Sequence, residues 1–288
     1  MACSCRLFGV SRQAIYQGER RYAQRASALL KVKELVVGTR RRMPRLGTRK
    51  LYHLLSGELD AIGVKIGRDG LFSYLRQERL LIKPKKNYTK TTDSKHWLKK
   101  YPNLYHDKVF TKPESCFVSD ITYVKSAEGT HYLSLVTDAY SRKIMGHYLS
   151  KDMSSENVVK ALQQAVKNKM SNQSTIHHSD RGLQYCSEIY QKELRKNKIT
   201  PSMTEGYDCY QNALAERVNG ILKEEFLLYR CNTFDELSQL IDESIRTYNG
   251  ERPHLGLGYQ TPNFVHQKTT EENLQWYESL SKISVNLF

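Results

Sequence analysis

From about residue 107 the chain alternates between two hydrophobic periods in an order that few folds accommodate. Strand-like runs near 116-124, 131-138 and 142-149 come in close series, the first two joined by a turn at Glu128-Gly129. A helical period follows from Ser154 through Lys169, with Val158, Val159, Leu162 and Val166 inward. Then come a short run from Thr175 to Asp180, a helix over Ser187-Lys196, a strand at Ile199-Met203 and a helix within Gln211-Phe226. Three consecutive strands followed by alternating helices and strands predict an α/β sheet covered by helices.

Three carboxylates stand out within that frame. In Cys116-Phe-Val-Ser-Asp-Ile-Thr-Tyr-Val124, alternation puts Val118, Asp120, Thr122 and Val124 on one side. Asp180 closes the run Thr175-Ile-His-His-Ser-Asp180 just before Arg181-Gly182, so it is expected at a strand end, looking into a cleft. Around Glu216, the residues Leu214, Val218, Ile221, Leu222 and Glu225 fall at helical spacing, which leaves Asn212, Glu216, Asn219 and Lys223 on the opposite face. Hard oxygen donors suit Mg²⁺. Two such ions about 3.5–4 Å apart can stabilise both the attacking and the leaving oxygen of a phosphodiester displacement. The reading is two Mg²⁺ ions, with Mn²⁺ able to substitute, held by Asp120, Asp180 and Glu216, and Lys223 on a flanking phosphate. His177 and His178 alternate across a strand and read as structural or substrate-contacting, not as ligands.

The motifs Ser119-Asp-Ile-Thr-Tyr123, His177-His-Ser-Asp-Arg-Gly-Leu-Gln-Tyr185, Ser202-Met203, Asn212-Ala-Leu-Ala-Glu216, Lys223, Tyr248-Asn-Gly-Glu-Arg-Pro-His254 and Thr261-Pro262 resemble those of a known family. It is the DDE transposases of the insertion-sequence-three group, in particular their second-reading-frame product, which share an integrase core with retroviral integrases. The resemblance covers nearly the whole chain. It implies that Asp120, Asp180 and Glu216 are the metal-binding triad of a ribonuclease-H-like fold whose first and fourth strands lie side by side. It also implies a first-frame partner segment fused by frameshifting. Two departures are visible: Phe117 stands where the family often has Trp, and Gln211 where an acidic residue usually precedes the Asn-Ala pair.

Charge divides the 288 residues sharply. Residues 1-100 hold 24 Lys/Arg against 7 Asp/Glu, whereas residues 101-288 hold 21 against 23, so the front third carries the whole net charge of +15. Such a segment suits a polyanion, above all nucleic acid. Residues 1-30 read as a helical segment, and residues 31-82 as an all-α helix-turn-helix unit. The expected helices run through Leu30 to Val37, from Thr48 through Leu55 and over Arg68-Leu81, with a break at Arg40-Arg-Arg-Met-Pro44. The basic stretch 83-106 reads as a linker, 107-230 as the catalytic core, and 231-288 as a helical extension and tail. Expected DNA contacts are Arg40, Arg41, Arg42, Arg49, Lys50, Arg68, Arg76, Arg79, Lys83, Lys85, Lys86, Asn212 and Asn219, together with Lys223.

Taken with the resemblance, these features imply a transposase catalytic polypeptide expected to act on double-stranded DNA, namely the terminal inverted repeats of its element and its target, as a dimer or larger assembly. No run of eighteen apolar residues suggests a span, and the start lacks a charged leader with a full apolar region, so a cytoplasmic, nucleoid-associated bacterial protein is expected. The six cysteines show no metal-ligand spacing and read as reduced thiols. A ribonuclease H would share the core without the basic front unit. A retroviral-type integrase would bring a His/Cys zinc-binding front domain that this chain lacks, and a transposition regulator would not need the carboxylates. Residues Thr204-Gln211, with Asp208, read as a loop beside the site, Asp208 being a decoy for the third carboxylate.

Overall fold

The computed structural model describes residues 9, 11–83, 97–106, 108–205 and 212–268. The chain divides into two compact units, Met1–Lys83 and Pro84–Phe288.

The first unit is three helices: α1 (Arg12–Arg42), α2 (Thr48–Ala61) and α3 (Arg68–Gln77). α1 is far longer than the Leu30 to Val37 stretch that its apolar residues announce. It runs unbroken across residue 30 and stops two residues before Pro44, whose ring would collide with the preceding turn. Its buried residues, Val32 and Val36, lie in the second half, while α2 buries Leu51, Leu55 and Leu59 and α3 buries Leu71, Tyr74 and Leu75. Polar ties fix α3 to α1: the Tyr74 hydroxyl donates to Leu29 O at 2.8 Å, and Lys33 Nζ meets Glu78 at 2.7 Å. α3 ends earlier than its pattern suggested. Arg79 adopts a left-handed φ of 57°, and Leu80 N turns back to Leu75 O at 2.7 Å.

The second unit contains the five-stranded sheet. Its strands are β1 (Cys116–Ser126), β2 (Gly129–Asp138), β3 (Ile144–Ser150), β4 (Thr175–Ser179) and β5 (Ile199–Met203), in the order β3-β2-β1-β4-β5. The first three form an antiparallel meander, and β4 and β5 join in parallel. β3 starts at Ile144, later than expected, because Arg142 takes a left-handed φ of 65° in a tight turn. The Asp138 carboxylate holds that turn by accepting bonds from Ser141 N and Oγ at 2.7 and 2.6 Å.

Helices cover both faces. α4 (Ser155–Lys167) and α6 (Glu188–Lys196), with the single turn α5 (Leu183–Cys186), pack on the side of Phe117. Fully burying a residue such as Leu162, whose exposure is 0%, contributes about 2 kcal/mol. α4 sits unusually close because β3 offers Gly146 beneath it: a Cβ there would lie 2.1 Å from Ala161 O and 2.6 Å from Ala165 N. α7 (Ala213–Ile221) covers the other face, with Ala215 against Cys116 and Val118.

Residues 231–268 pack onto the sheet of this unit. α8 (Phe234–Gly250) docks on β3, where Asn249 accepts from Ile144 N at 2.9 Å and donates to Ile144 O at 3.0 Å. A last helix, α9 (Pro262–Gln267), is anchored through buried His266, which meets Ser141 Oγ at 2.9 Å and Glu114 at 3.3 Å. No helix among the described residues is long and apolar enough to cross a membrane.

Candidate active site

Strand register brings the first two carboxylates together. β1 and β4 pair in parallel with Cys116 opposite Ile176, Phe117 opposite His177 and Val118 opposite His178, a constant offset of sixty. Asp120 and Asp180 each follow the last paired residues, Val118 and His178, by two positions, at the carboxyl ends of the paired segment, where an open α/β sheet presents its cleft, and they are near enough for the charge of Asp180 to raise Asp120. β4 itself ends at Ser179, and Asp180 begins the turn, its Oδ1 accepting from Gly182 N at 3.0 Å.

α7 brings the third. The helix lies along β1, and its contacts climb the strand step by step. Asn212 Nδ2 donates to Ser119 O at 3.2 Å, Asn219 Nδ2 to Asp120 Oδ2 at 2.7 Å, and Lys223 Nζ to Thr122 Oγ1 at 3.2 Å. Asn212 and Asn219, read from the sequence as DNA contacts on an open face, are instead buried and bonded to β1. The reason is that α7 is flanked by small Ala215 and Val218 and settles onto the strand, so the face read as open is partly the packed one. Glu216, between the two asparagines, stays exposed.

Lys223 lies just past the end of α7. After Ile221 the backbone widens into a π-turn, Leu222–Phe226, of a kind often found at functional sites. From this turn the Lys223 ammonium donates to Thr122 Oγ1, and burial lowers its pKa, against which the charges of Asp120 and then Glu224 act. On the same turn Glu225 takes a bidentate bond from Arg252, at 2.8 and 2.6 Å. The Arg252 side chain is only 2% exposed. A carboxylate on an otherwise apolar stripe demands a buried partner, and that was the sequence signal from which Arg252 could have been found.

The electrostatics are those of like charges held close. Burial raises Asp120 first, and Asp180 and, more weakly, Glu216 add to it, so its pKa reaches about 7 although Asn219 and Ile121 N donate to it. Glu216, though open to solvent, is likewise raised, by partial desolvation and then by Asp180. Among the described residues no three His, Cys, Asp or Glu side chains already surround a common point at ligand distance.

The histidines play another part. His177 Nε2 is shared by Ser119 Oγ and Tyr190 OH, both at 2.8 Å, and burial, then His178, lowers its pKa to about 3. His178 bonds Ser202 Oγ at 2.9 Å and stacks on Tyr105. His177 thus lies on the Phe117 side of the sheet, with Tyr190, whereas His178 lies on the α7 side, where Tyr105 packs against Cys116 and Val118.

In the first unit Arg41, Arg42, Arg49, Arg68, Arg76, Arg79 and Lys83 are exposed, and Lys50 is half-buried. Arg40 differs: its guanidinium donates to Leu80 O at 2.5 Å and Leu46 O at 3.3 Å, tying the end of α1 to the residues after α3 instead of facing outward. Lys85 and Lys86, and residues 206–211 with Asp208, lie outside the described residues.

Comparison with known proteins agrees with this architecture. The integrase core domain family matches residues 111–209, and a second integrase core domain family matches 197–262. The insertion element IS600 uncharacterized 31 kDa protein of Shigella sonnei is 36% identical over 270 residues, covering 92% of this chain and 97% of that protein. Transposase InsF for insertion sequence IS3A of Escherichia coli (strain K12) is 32% identical over 172 residues, covering 59% of this chain and 60% of that protein. The fold is also that of a chain in the cryoEM structure of the simian T-cell lymphotropic virus intasome in complex with PP2A regulatory subunit B56 gamma. There the TM-score is 0.50 at 18% identity, over 77% of this chain and 75% of that one. With its motifs, its β1–β4 register and these relatives in agreement, the chain belongs to the DDE transposases of the IS3 group, built on an integrase core.

Proposed function

We propose that this chain is the catalytic polypeptide of a transposase that binds the ends of its insertion sequence, cleaves a DNA strand and joins the freed end to target DNA. What supports the reading is that Asp120 and Asp180 each lie two residues beyond the last β1–β4 pair, with Glu216 on a helix bonded to β1, and that Asp180 and Glu216 both act on the ionisation of Asp120. Holding carboxylates together at the expense of their ionisation is a feature of sites that receive cations.

The donor set fits magnesium: three hard oxygen donors, with both neighbouring histidines engaged elsewhere. Asp120, Asp180 and Glu216 would hold two ions, with manganese able to replace them, and the bound metal would supply Lewis-acid stabilisation to the attacking and leaving oxygens. Asn219 orients Asp120 through a 2.7 Å bond, so that one oxygen is fixed while the strand fixes the backbone. Lys223, above Thr122, offers a point charge to a phosphate flanking the scissile bond. No side chain acts as a covalent nucleophile. Water opens one phosphodiester to leave a 3′-hydroxyl, which then attacks a second phosphodiester and displaces its 3′ oxygen. The exposed arginines of α2 and α3 grip the duplex, and a first-frame segment fused by frameshifting and a second copy complete the assembly that pairs two ends.

The test is a strand-transfer assay on the protein joined to its first-frame segment, using a labelled duplex of the element's end and Mg²⁺. The expected products are a strand nicked to a 3′-hydroxyl and a joined species. Hydrolysis of the RNA strand of a hybrid, with no joining, would transfer the reading to a ribonuclease H. DNA binding without either reaction would transfer it to a regulator.

A further inference from the structure

The motif Tyr248-Asn-Gly-Glu-Arg-Pro-His254 takes no part in the chemistry described above, yet its polar side chains Tyr248, Asn249, Arg252 and His254 are all buried. One end is fixed to the start of β3, where the Tyr248 hydroxyl donates to Arg142 O at 3.0 Å and Asn249 brackets Ile144. At the other end the Arg252 guanidinium holds Glu225 with two bonds, at 2.8 and 2.6 Å, and its third nitrogen donates to His254 Nε2 at 3.1 Å. A guanidinium can only donate, so His254 accepts there, with its ring edge-on to Tyr248 at 4.9 Å.

Glu225 belongs to the π-turn Leu222–Phe226, which also carries Lys223. Residues two apart on a helical turn do not face each other. Arg252 therefore grips the turn away from the side of Lys223, whose ammonium reaches Thr122 Oγ1 on β1 at 3.2 Å. The turn closes from Leu227 N to Leu222 O at 2.9 Å, a spacing of five residues in place of the four of an α-helix. Leu222 and Phe226 are buried on it, but they lie four apart, a spacing that an ordinary α-helix satisfies as well. Apolar contact thus does not select the wider turn. A buried arginine–carboxylate pair stabilises a fold less than apolar side chains of the same volume, because both charges lose water; its best-attested use is to fix one register against others.

We propose that Arg252 and Glu225 are positioning residues, whose bidentate pair selects the π-turn and so sets Lys223 beside Thr122, where it meets the phosphate flanking the scissile bond. The inference rests on the role given to Lys223 in the proposed function. The part of Arg252 is geometric, since its side chain is only 2% exposed and closed to DNA.

The experiment uses the full chain joined to its first-frame segment and follows thermal melting and Mg²⁺-dependent joining of a labelled duplex of the element's end. It compares the parent, Lys223→Ala, the apolar exchange of Glu225→Leu with Arg252→Met, and all three substitutions together. The exchange is expected to melt at or above the parent, yet to slow joining as Lys223→Ala does, up to about a hundredfold. Added to Lys223→Ala, it should slow joining no further, which a loosened core would not reproduce. Arg252→Lys keeps the charge without the planar fork and should also slow joining only where Lys223 is present. Parental joining by the exchange would overturn the proposal, as would a marked fall in its melting temperature or a loss that multiplies with that of Lys223→Ala. Parental joining by Lys223→Ala would remove the role of Lys223 itself, and a parent that does not join DNA would remove the transposase reading. Either result overturns the proposal too, but through the parent or Lys223→Ala and not through the exchange.

Discussion

Asp120→Asn should stabilise the metal-free protein at neutral and alkaline pH, and the gain can be sized from the site. The folded chain raises this carboxyl from 3.8 to about 7. A shift of about 3 units at about 1.36 kcal/mol each sets a ceiling of about 4 kcal/mol on the strain of ionising it. Because the folded pKa lies above the unfolded one, the folded protein binds the extra proton between the two values. Stability therefore falls as pH rises from about 4 to about 7 and is level beyond that window. Asparagine removes the charge and the penalty. It also keeps the hydrogen bonds: its oxygen remains with Ile121 N, and its amide meets Asn219, whose Oδ1 has no partner among the described residues and faces it after a simple flip. The expected gain is about 2–4 kcal/mol above pH 8, or a rise of roughly 4–16 °C in melting temperature for a unit of this size. It should vanish near pH 4. Calorimetry of both proteins in chelator across pH 4–9 measures it. Equal stability at pH 8, or a gain that does not depend on pH, would refute the electrostatic argument.

Gly146→Ala should cost about 3 kcal/mol or more, since the added methyl meets backbone of α4 that has no rotamer to change; urea melts without a lowered midpoint would contradict this. Glu225→Ala should destabilise by about 3–5 kcal/mol because Arg252 is left charged and buried, whereas Arg252→Met should cost less, its partner being 20% exposed. Equal losses in the two variants would show that the pair contributes by packing alone. A fragment of residues 1–100 should bind duplex DNA in a strongly salt-dependent way. About six phosphate contacts imply roughly a thousandfold loss of affinity between 50 and 200 mM salt, and salt-insensitive binding would remove the electrostatic role of the front unit.

Elements with a strong period were legible in the sequence. The alternation in Cys116-Phe-Val-Ser-Asp-Ile-Thr-Tyr-Val124 gave β1 and the face of Asp120, and Ile199–Met203 formed the strand expected of it. Length was not legible where tertiary contact does not set it. α1 extends back to Arg12 through residues that bury little, because local helical preference and the Ser11 cap, which accepts from Ala14 N at 3.1 Å, suffice without an apolar stripe. Buried polar groups were the main blind spot. Asn212 and Asn219 read as solvent-facing because amides are usually exposed, and only β1 lying across α7 supplies the acceptors that let them be buried. The network of Asp138, Ser141, Glu114 and His266 joins residues up to 152 positions apart, and no local pattern announces it. Arg40 was misread for a related reason, since the Leu80 and Leu46 carbonyls that engage it are set by the packing of three helices.

The central claim is that Asp120, Asp180 and Glu216 act together as the metal-binding centre of strand cleavage. Its most direct test compares Asp120→Asn, Asp180→Asn and Glu216→Gln with the parent protein on a duplex of the element's end, following DNA affinity and Mg²⁺-dependent cleavage side by side. The account expects all three variants to fold and to bind the duplex while cleavage is lost in each. Near-normal cleavage by any one of them would contradict it and remove that residue from the centre.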